Sequence, residues 1–373
     1  MKFVVNSKTL LQNLQTIGGV VVSKPILPIL DNFLFGIKEG NLKITATDLE
    51  TTITTELEVQ ADGNIHVAIP SKMLMETLRS LPDQPLTLDI DENNFTVEIT
   101  SETGRYKLNG EPGEDFPKTP SHTADESLQI PAEVLEDSIA KTLFATSNDE
   151  LRQNLTGVFF EIDENQLNFV ATDANRLVRS QRLQIASSST TSFIVPKKAL
   201  TQLKSNLTAT TGNVQMDYNQ NNVFFSFDKV KIISRLIDEK YPDYNAVIPT
   251  DNPNKLTIDR SQFLQSVKRI AIYANKTTQQ IRLKLAGSEM TLSAEDLDMS
   301  NEGTERLSVN YAGADIEIGF NARYLVDMLT NMTTSEVSLE LSDPNKAGIL
   351  LPSEQDENEH LLMLIMPMML NKG

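Results

Sequence analysis

The sequence predicts an α+β protein built from three tandem copies of one unit, each a mostly antiparallel sheet carrying two helices. Two observations predict it. First, the chain repeats itself: GNLKITATDLETTI at 40–53, NQLNFVATDANRLV at 165–178 and SEMTLSAEDLDMSN at 288–301 align on Asp48, Asp173 and Asp296, spaced 125 and then 123 residues apart. Periods of 20–50 residues build solenoids and propellers, whereas a period near 124 is a domain length. Second, the same order of elements recurs around each marker.

Each unit opens with a short strand and an amphipathic helix: FVVNSKTLLQNLQTI at 3–17, LQIPAEVLEDSIAKT at 128–142 and LTIDRSQFLQSVKRI at 256–270. Apolar residues recur at helical spacing, as in Leu10, Leu11, Leu14 and Ile17. An alternating strand precedes each Asp segment (DNFLFGIKEG, LTGVFFEIDEN, QIRLKLAGSE). A strand then runs into a second helix at 67–81, 193–207 and 317–331. Pro70, Pro131 and Pro196 are placed at helix starts, where a missing N–H costs nothing. Strand pairs with polar turns such as Asp91-Glu92-Asn93-Asn94 close each unit. Polar, Pro-punctuated stretches near 120–127 and 249–255 set the domains at 1–122, 123–250 and 251–373.

A chain of 373 residues with 39% hydrophobic content can bury three modest cores. It has no cysteine, which excludes disulfides and thiol-based redox or metal chemistry. No apolar run reaches the roughly 18 residues of a membrane span, so a cytoplasmic protein without a membrane partner is expected.

The net charge of −18 disfavours a nucleic-acid partner, but its distribution matters more than its sum. The predicted helical segments (7–21, 70–82, 131–146, 196–207, 259–275, 320–332) hold 11 Lys/Arg against 6 Asp/Glu, and the remainder 22 against 45. Two readings stand at this point: basic helices facing one polyanion, or the ordinary preference of helices for Lys and Arg.

Catalysis requires a constellation, and the sequence offers none. His66, His122 and His360 are scattered in polar sequence without partners at ligand spacing. There is no GxSxG elbow, no GxxxxGK[ST] phosphate loop and no Gly-rich dinucleotide turn, so no metal and no cofactor are expected. Asp89/Asp91 and Glu357/Glu359 read as solvated turn residues. Asp48, Asp173 and Asp296 are either a triplicated active site or turn and cap residues accepting backbone N–H bonds; their place after a strand favours the turn. The chain does not read as an enzyme.

With the threefold repeat in register, ATDANRLV, YPDYNAVIP at 241–249, EDFPKTP at 114–120 and LIMPMML at 364–370 together resemble the bacterial sliding clamps, the beta subunits of replicative DNA polymerase. The resemblance implies a head-to-tail homodimer closing six similar domains into a ring around duplex DNA. Helices would line the hole and antiparallel sheets would lie outside. It also implies a pocket that takes a short linear motif from the replicative polymerase subunit, the clamp loader, repair polymerases and mismatch-repair proteins. Such a ring works without base readout, through exchangeable phosphate contacts.

By that resemblance the DNA contacts are Lys24, Lys72, Arg79, Arg152, Lys197, Lys198 and Lys204, the last three forming the strongest run. The peptide pocket is lined by Leu155, Thr172, Ala174, Asn175, Arg176, Leu177, Pro242, Val247, Met366, Pro367, Met368, Met369 and Leu370. Methionines repack around different apolar anchors, which suits a site with many partners. Read alone, LLMLIMPMML fits an ordinary buried last strand ended by Pro367 better than a binding site, and the matching ATDANRLV segment reverses that. Met369 stands where many family members carry Arg, and Asn371-Lys372-Gly373 extends past Leu370. The dimer interface joins Arg105, Tyr106 and Leu108, on an edge strand, to Ile272 and Tyr273; the alternative is that Tyr106 and Leu108 fill their own core. Two rival functions, an enzyme using three convergent carboxylates and a scaffold of three equivalent modules, are disfavoured by the inequality of Glu295-Asp296 and by the single Met-rich tail.

Overall fold

The computed structural model describes residues 1–183, 185, 189–208 and 210–370. Asn371-Lys372-Gly373 therefore lies outside the described residues. Among those described are six α-helices: α1 (Ser7–Gly18), α2 (Ser71–Ser80), α3 (Ala132–Leu143), α4 (Lys197–Leu207), α5 (Arg260–Ala271) and α6 (Ala322–Thr330). Asn6 caps α1 by accepting from Thr9 N at 3.0 Å, and Asp259 caps α5 by accepting from Gln262 N at 2.7 Å. Pro70, Pro131 and Pro196 each end the strand immediately before a helix, one residue earlier than a first-turn position. The apolar stripe of α1 is fully buried at Leu10, Leu14 and Ile17, worth about 1.5–3 kcal/mol per side chain.

The chain forms two compact units, residues 1–136 with 198–236 and residues 137–197 with 237–373. The first unit holds a nine-stranded antiparallel sheet in the order Glu111–Pro112, Ile65–Pro70, Asn32–Lys38, Asn41–Thr47, Thr51–Glu58, Val230–Arg235, Asn222–Phe227, Asn213–Tyr218, Glu126–Pro131. The joint between the first and second repeats lies inside this sheet, where Ile53 faces Ile232. A five-stranded sheet, Gln60–Ala61, Lys2–Asn6, Pro85–Ile90, Thr96–Thr100, Arg105–Asn109, completes the unit. Here α1 lies between α2 and α4: Met75 Sδ is 3.4 Å from the Cβ position of Gly18, and Asn206 Nδ2 donates to Thr16 O at 3.2 Å.

The second unit repeats the plan. Its nine-stranded sheet runs Thr191–Pro196, Gly157–Asp163, Gln166–Thr172, Arg176–Leu183, Glu359–Ile365, Gly348–Pro352, Glu336–Leu341, Asn254–Asp259, Asn310–Ala312. The joint between the second and third repeats pairs Val178 with Met363 and Leu177 with Leu364. A four-stranded sheet has the order Asn301–Ser308, Glu289–Asp296, Gln280–Ala286, Ile316–Asn321.

The repeats thus use one kind of joint twice. The strand after the Asp turn (Thr51–Glu58, Arg176–Leu183) pairs with the last long strand of the next repeat (Val230–Arg235, Glu359–Ile365). The third repeat's counterpart of the former is Asn301–Ser308, and the first repeat's counterpart of the latter is Arg105–Asn109. Both are edge strands. Two halves of a third joint are left open.

Candidate functional site

The repeated carboxylates are turn devices. Asp48 Oδ1 accepts from Glu50 N at 3.0 Å and Thr51 N at 2.6 Å; Asp173 Oδ1 accepts from Asn175 N at 2.9 Å and Arg176 N at 3.0 Å. The preceding Thr47 and Thr172 hydroxyls accept from Leu49 N and Ala174 N and donate to Thr51 O and Arg176 O. These bonds hold Leu49 and Ala174 at φ +80° and +75°, in the left-handed region that a non-glycine residue rarely enters. The third repeat has Glu295 instead of Thr and a longer hairpin: Glu295 faces Glu302, whereas Thr47 faces Thr52 and Thr172 faces Leu177. Asp296 there accepts from Asp298 N at 3.1 Å.

The basic residues differ in how free they are. Lys24 is exposed in the loop after α1 at φ +59°, and Lys72 and Arg79 are exposed on α2. Lys204 is half-buried on α4. Lys198 is ion-paired with Asp48, so one carboxylate both closes a turn and holds a cation. Lys197 donates to Asn148 Oδ1 at 3.0 Å, and burial, with the Arg176 charge adding, pulls its ammonium pKa down. Arg152 is paired with Asp149 at 2.8 Å. Of the run Lys197, Lys198 and Lys204, read from sequence as the strongest, Lys197 and Lys198 are engaged within the chain.

The second unit contains an apolar cluster of Leu155, Val170, Leu177, Ile194, Tyr241, Tyr244, Ala347 and Leu364, with Phe159 and Ile248 packed against it. Phe159 and Tyr241 stack with centroids 4.5 Å apart. Burial pushes both tyrosine phenols up, reinforced at Tyr244 by its bond to Glu161. Beside these tyrosines in the chain, Pro242 and Val247 are exposed. Met366 N donates to Asn175 O at 2.8 Å, which brings the Met-rich tail to the exposed turn Ala174-Asn175. Met366 is 42% exposed beside a buried apolar floor.

Three residues expected at this pocket are engaged within the chain. Arg176 is buried, and its guanidinium bonds Asp173, Asp327 and Phe144 O and lies over the rings of Phe144 and Tyr324. Thr172 is buried, and its hydroxyl is spent on the turn. Leu370 leaves the cluster. After half-buried Pro367 the tail joins the four-stranded sheet, Met368 N donating to Gly319 O at 2.8 Å and Gln280 Nε2 to Met369 O at 2.9 Å. Leu370 then rests over Gly319, its Cδ2 2.8 Å from where a Cβ would be, and lines a cavity of about 460 Å³ with Gln280, Ile281 and Leu297. Met369 is 85% exposed.

At the open edges, Arg105 is exposed and Tyr106 half-buried, whereas Leu108 is 4% exposed and belongs to its own core. Ile272 and Tyr273, at the end of α5, are 74% and 44% exposed. The Tyr273 ring lies against Asn301–Ser308, its Cδ2 2.7 Å from the Cβ position of Gly303. Arg269 clasps Glu305 of the same strand with bonds of 2.7 and 2.8 Å. Sequence reasoning missed Asn301–Ser308 as an edge strand; the signal was its place after the third copy of the Asp turn.

Family profiles for the N-terminal, central and C-terminal domains of the DNA polymerase III beta subunit match residues 1–120, 129–243 and 245–369. The chain belongs to the bacterial sliding clamp family. It is 31% identical to the beta sliding clamp of Pseudomonas putida over 366 residues, 97% of this chain and 99% of that one. With the beta sliding clamp of Synechococcus elongatus it shares 30% identity over 375 residues, covering 98% and 99%. The crystal structure of the DNA polymerase III subunit beta from Pseudomonas aeruginosa superposes with a TM-score of 0.94 at 29% identity, covering 99% of this chain and all of that one. The sliding clamp of Bartonella birtlesii, solved with griselimycin bound, gives 0.94 at 28% with the same coverage. The three-repeat α+β architecture read from sequence is the clamp architecture.

Proposed function

We propose that two copies of this chain close head to tail into a ring around duplex DNA and tether the replicative polymerase to its template. The observation that carries this reading is the pair of open edges, Arg105–Asn109 and Asn301–Ser308, equivalent to strands that are paired at both internal joints. Unpaired edges invite pairing, and a joint between two different surfaces forms a closed ring when the rotation per subunit permits. Clamp domains 1–122, 123–250 and 251–373 each supply two helices to the inner face. Lys24, Lys72, Arg79, Arg152, Lys197, Lys198 and Lys204 meet phosphates without reading bases. The chain performs no reaction of its own, holds no cofactor and works in the cytoplasm.

The second surface takes a short linear motif from polymerases, the clamp loader and mismatch-repair proteins. Leu155, Leu177 and Leu364 form its apolar floor, with Pro242, Val247, Ala174-Asn175 and Met366 to Met369 around it. The test is the affinity of a labelled peptide with a Gln-Leu-Xaa-Leu-Phe core for the full chain and for one ending at Met366. Binding that is lost on truncation, with the dimer mass unchanged in light scattering, supports both parts. A monomer at micromolar concentration overturns the ring, and equal binding by both chains overturns the role of the tail.

A further inference from the structure

We infer that the first unit binds the tyrosine side chain of a partner segment in the groove where residues 113–123 cross its nine-stranded sheet. The inference is independent of the closed assembly and of the peptide pocket. It comes from comparing how the two units cover one and the same place. Positions 125 residues apart correspond, as Asp48 and Asp173 do. Cross-strand register agrees: Leu34 faces Thr45 and Thr45 faces Thr54, while Phe159 faces Val170 and Val170 faces Arg179. Phe116-Pro117 thus corresponds to Tyr241-Pro242, and Thr119 to Tyr244. The crossing is pinned at both ends, by buried Phe116 and by His122, which stacks on Phe224 and bonds Asp217 at 2.7 Å.

In the second unit two aromatic side chains fill this place. Tyr241 stacks on Phe159 with centroids 4.5 Å apart, and Tyr244 meets the same ring edge-on at 6.3 Å. The Tyr244 hydroxyl donates to the Glu161 carboxylate, and both tyrosines are buried. The first unit keeps only Phe116. Leu34, Gly36, Thr45 and Thr119 stand for Phe159, Glu161, Val170 and Tyr244. Three of these four exchanges remove bulk, and Thr45 puts a hydroxyl in place of a methyl. What is left is a groove of about 1210 Å³ whose lining includes Leu34, Gly36, Thr45, His66, Phe116 and Thr119.

The groove holds what a second aromatic side chain needs. Leu34 and Phe116 offer an apolar seat, and aromatic pairs are stabilised beyond the area they bury. For the hydroxyl, His66 stands in for Glu161. Its Nε2 lies 2.8 Å from the Cβ position of Gly36, in the space where the Glu161 side chain begins in the second unit. An imidazole nitrogen can accept from a phenol, as a carboxylate does. The rim is balanced, Lys38, Lys43 and Lys118 against Glu39, Glu56 and Glu114, so charge selects neither an anion nor a cation. Shape and one hydrogen bond select a phenol. A cavity of about 150 Å³ is enough for benzene. This groove is several times larger and leaves room for main chain on either side of the tyrosine.

The probes are acetyl-Gly-Tyr-Gly-amide, its Phe and Leu counterparts, and p-cresol, each titrated against the full chain by ligand-observed NMR. The tyrosine peptide should bind about fivefold more tightly than the phenylalanine one, as one hydrogen bond allows. Thr119→Tyr, which restores the second unit's arrangement, should abolish binding while the urea midpoint holds or rises. His66→Ala should erase the preference for tyrosine over phenylalanine. If Thr119→Tyr lowers the midpoint instead, the His66→Ala preference alone decides. A saturating Gln-Leu-Xaa-Leu-Phe peptide should displace nothing, because its pocket belongs to the second unit. Displacement by that peptide, equal binding of all three tripeptides, or no binding at all overturns the site. So does binding untouched by a stably folded Thr119→Tyr chain. p-Cresol bound as tightly as the tyrosine peptide overturns the partner segment and assigns the groove to free phenols.

Discussion

Arg176 Nη1 donates to Asp327 Oδ2 at 2.7 Å, tying the strand after the second repeat's Asp turn to α6 of the third repeat. The guanidinium also bonds Asp173 at 3.1 Å and Phe144 O at 2.9 Å, and it is sandwiched by Phe144 and Tyr324 at 5.1 and 4.8 Å. A planar fork with several fixed donors suits such a position, and an ammonium does not. Next to the exposed turn Ala174-Asn175, this residue supports the turn from within the chain.

Replacing Arg176 by Ala should therefore destabilise the second unit by about 3 kcal/mol, because Asp173 and a backbone carbonyl lose a buried partner. Arg176→Lys should recover little. Asp327→Asn should cost less than about 1 kcal/mol, since that carboxylate is 37% exposed and screened by solvent. Urea unfolding midpoints check the order. An Arg176→Ala protein as stable as the parent would show that the bonds are replaced by water.

Asp48→Asn keeps the Oδ1 acceptor that closes the turn and removes the charge that holds Lys198. Non-specific affinity for duplex DNA should rise, and the slope of log affinity against log salt should steepen by up to about one unit. Lys198→Ala in the same background should return it to the parent value. A slope unmoved by either change would remove Lys198 from the DNA surface.

Gly319→Ala puts a methyl group 2.7 Å from Met368 O, a backbone atom with little room to yield. The tail should lift from the sheet edge. Peptide affinity should fall about tenfold, roughly 1.4 kcal/mol, with little change in the unfolding midpoint. A large loss of stability would mean that Met368 to Leu370 is part of the core.

Glu305 and Arg269 make a pH-dependent contribution of known sign. The Arg269 guanidinium holds the Glu305 carboxyl below the usual carboxylate range. A lowered folded-state pKa stabilises fully above the ordinary value of 4.5, and the contribution is lost as pH falls through the folded-state value. Urea midpoints of the parent and Glu305→Gln should differ at pH 7 and converge as pH falls through the lowered folded-state value. Curves that stay parallel at all pH values would show that the pair adds nothing, as many exposed pairs do.

The repeats, the helix stripes and the Asp turns were legible because each is local: a period, a 3.6-residue recurrence, a carboxylate two residues from its N–H donor. The approach of the Met-rich tail to the ATDANRLV turn was legible only through family likeness. What stayed hidden depends on distant neighbours. Nothing in RLVRSQ says that Arg176 is buried, because its partner Asp327 lies 151 residues away. Tyr106 and Leu108 sit on one face of their strand, and sequence could not say that the sheet covers the second far more than the first. Leu370 was assigned to the pocket by resemblance, and no local signal shows that Gly319, lacking a side chain, lets the tail settle on another sheet.

The joints of this chain also bear on how it reaches its fold. Three strands that accept a neighbour and three that supply one share a common pattern, so a chain leaving the ribosome faces a sorting problem among near-identical mates. Ile53 meets Ile232 and Val178 meets Met363. Gly303 is backed by an aromatic ring that leaves no room for a second aliphatic core residue on the strand itself. A wrong match sets a bulky ring against a branched chain, or leaves a gap beside glycine, and either error costs packing energy. The small differences among copies act as addresses, and equalising them would create competing ways to fold one sequence.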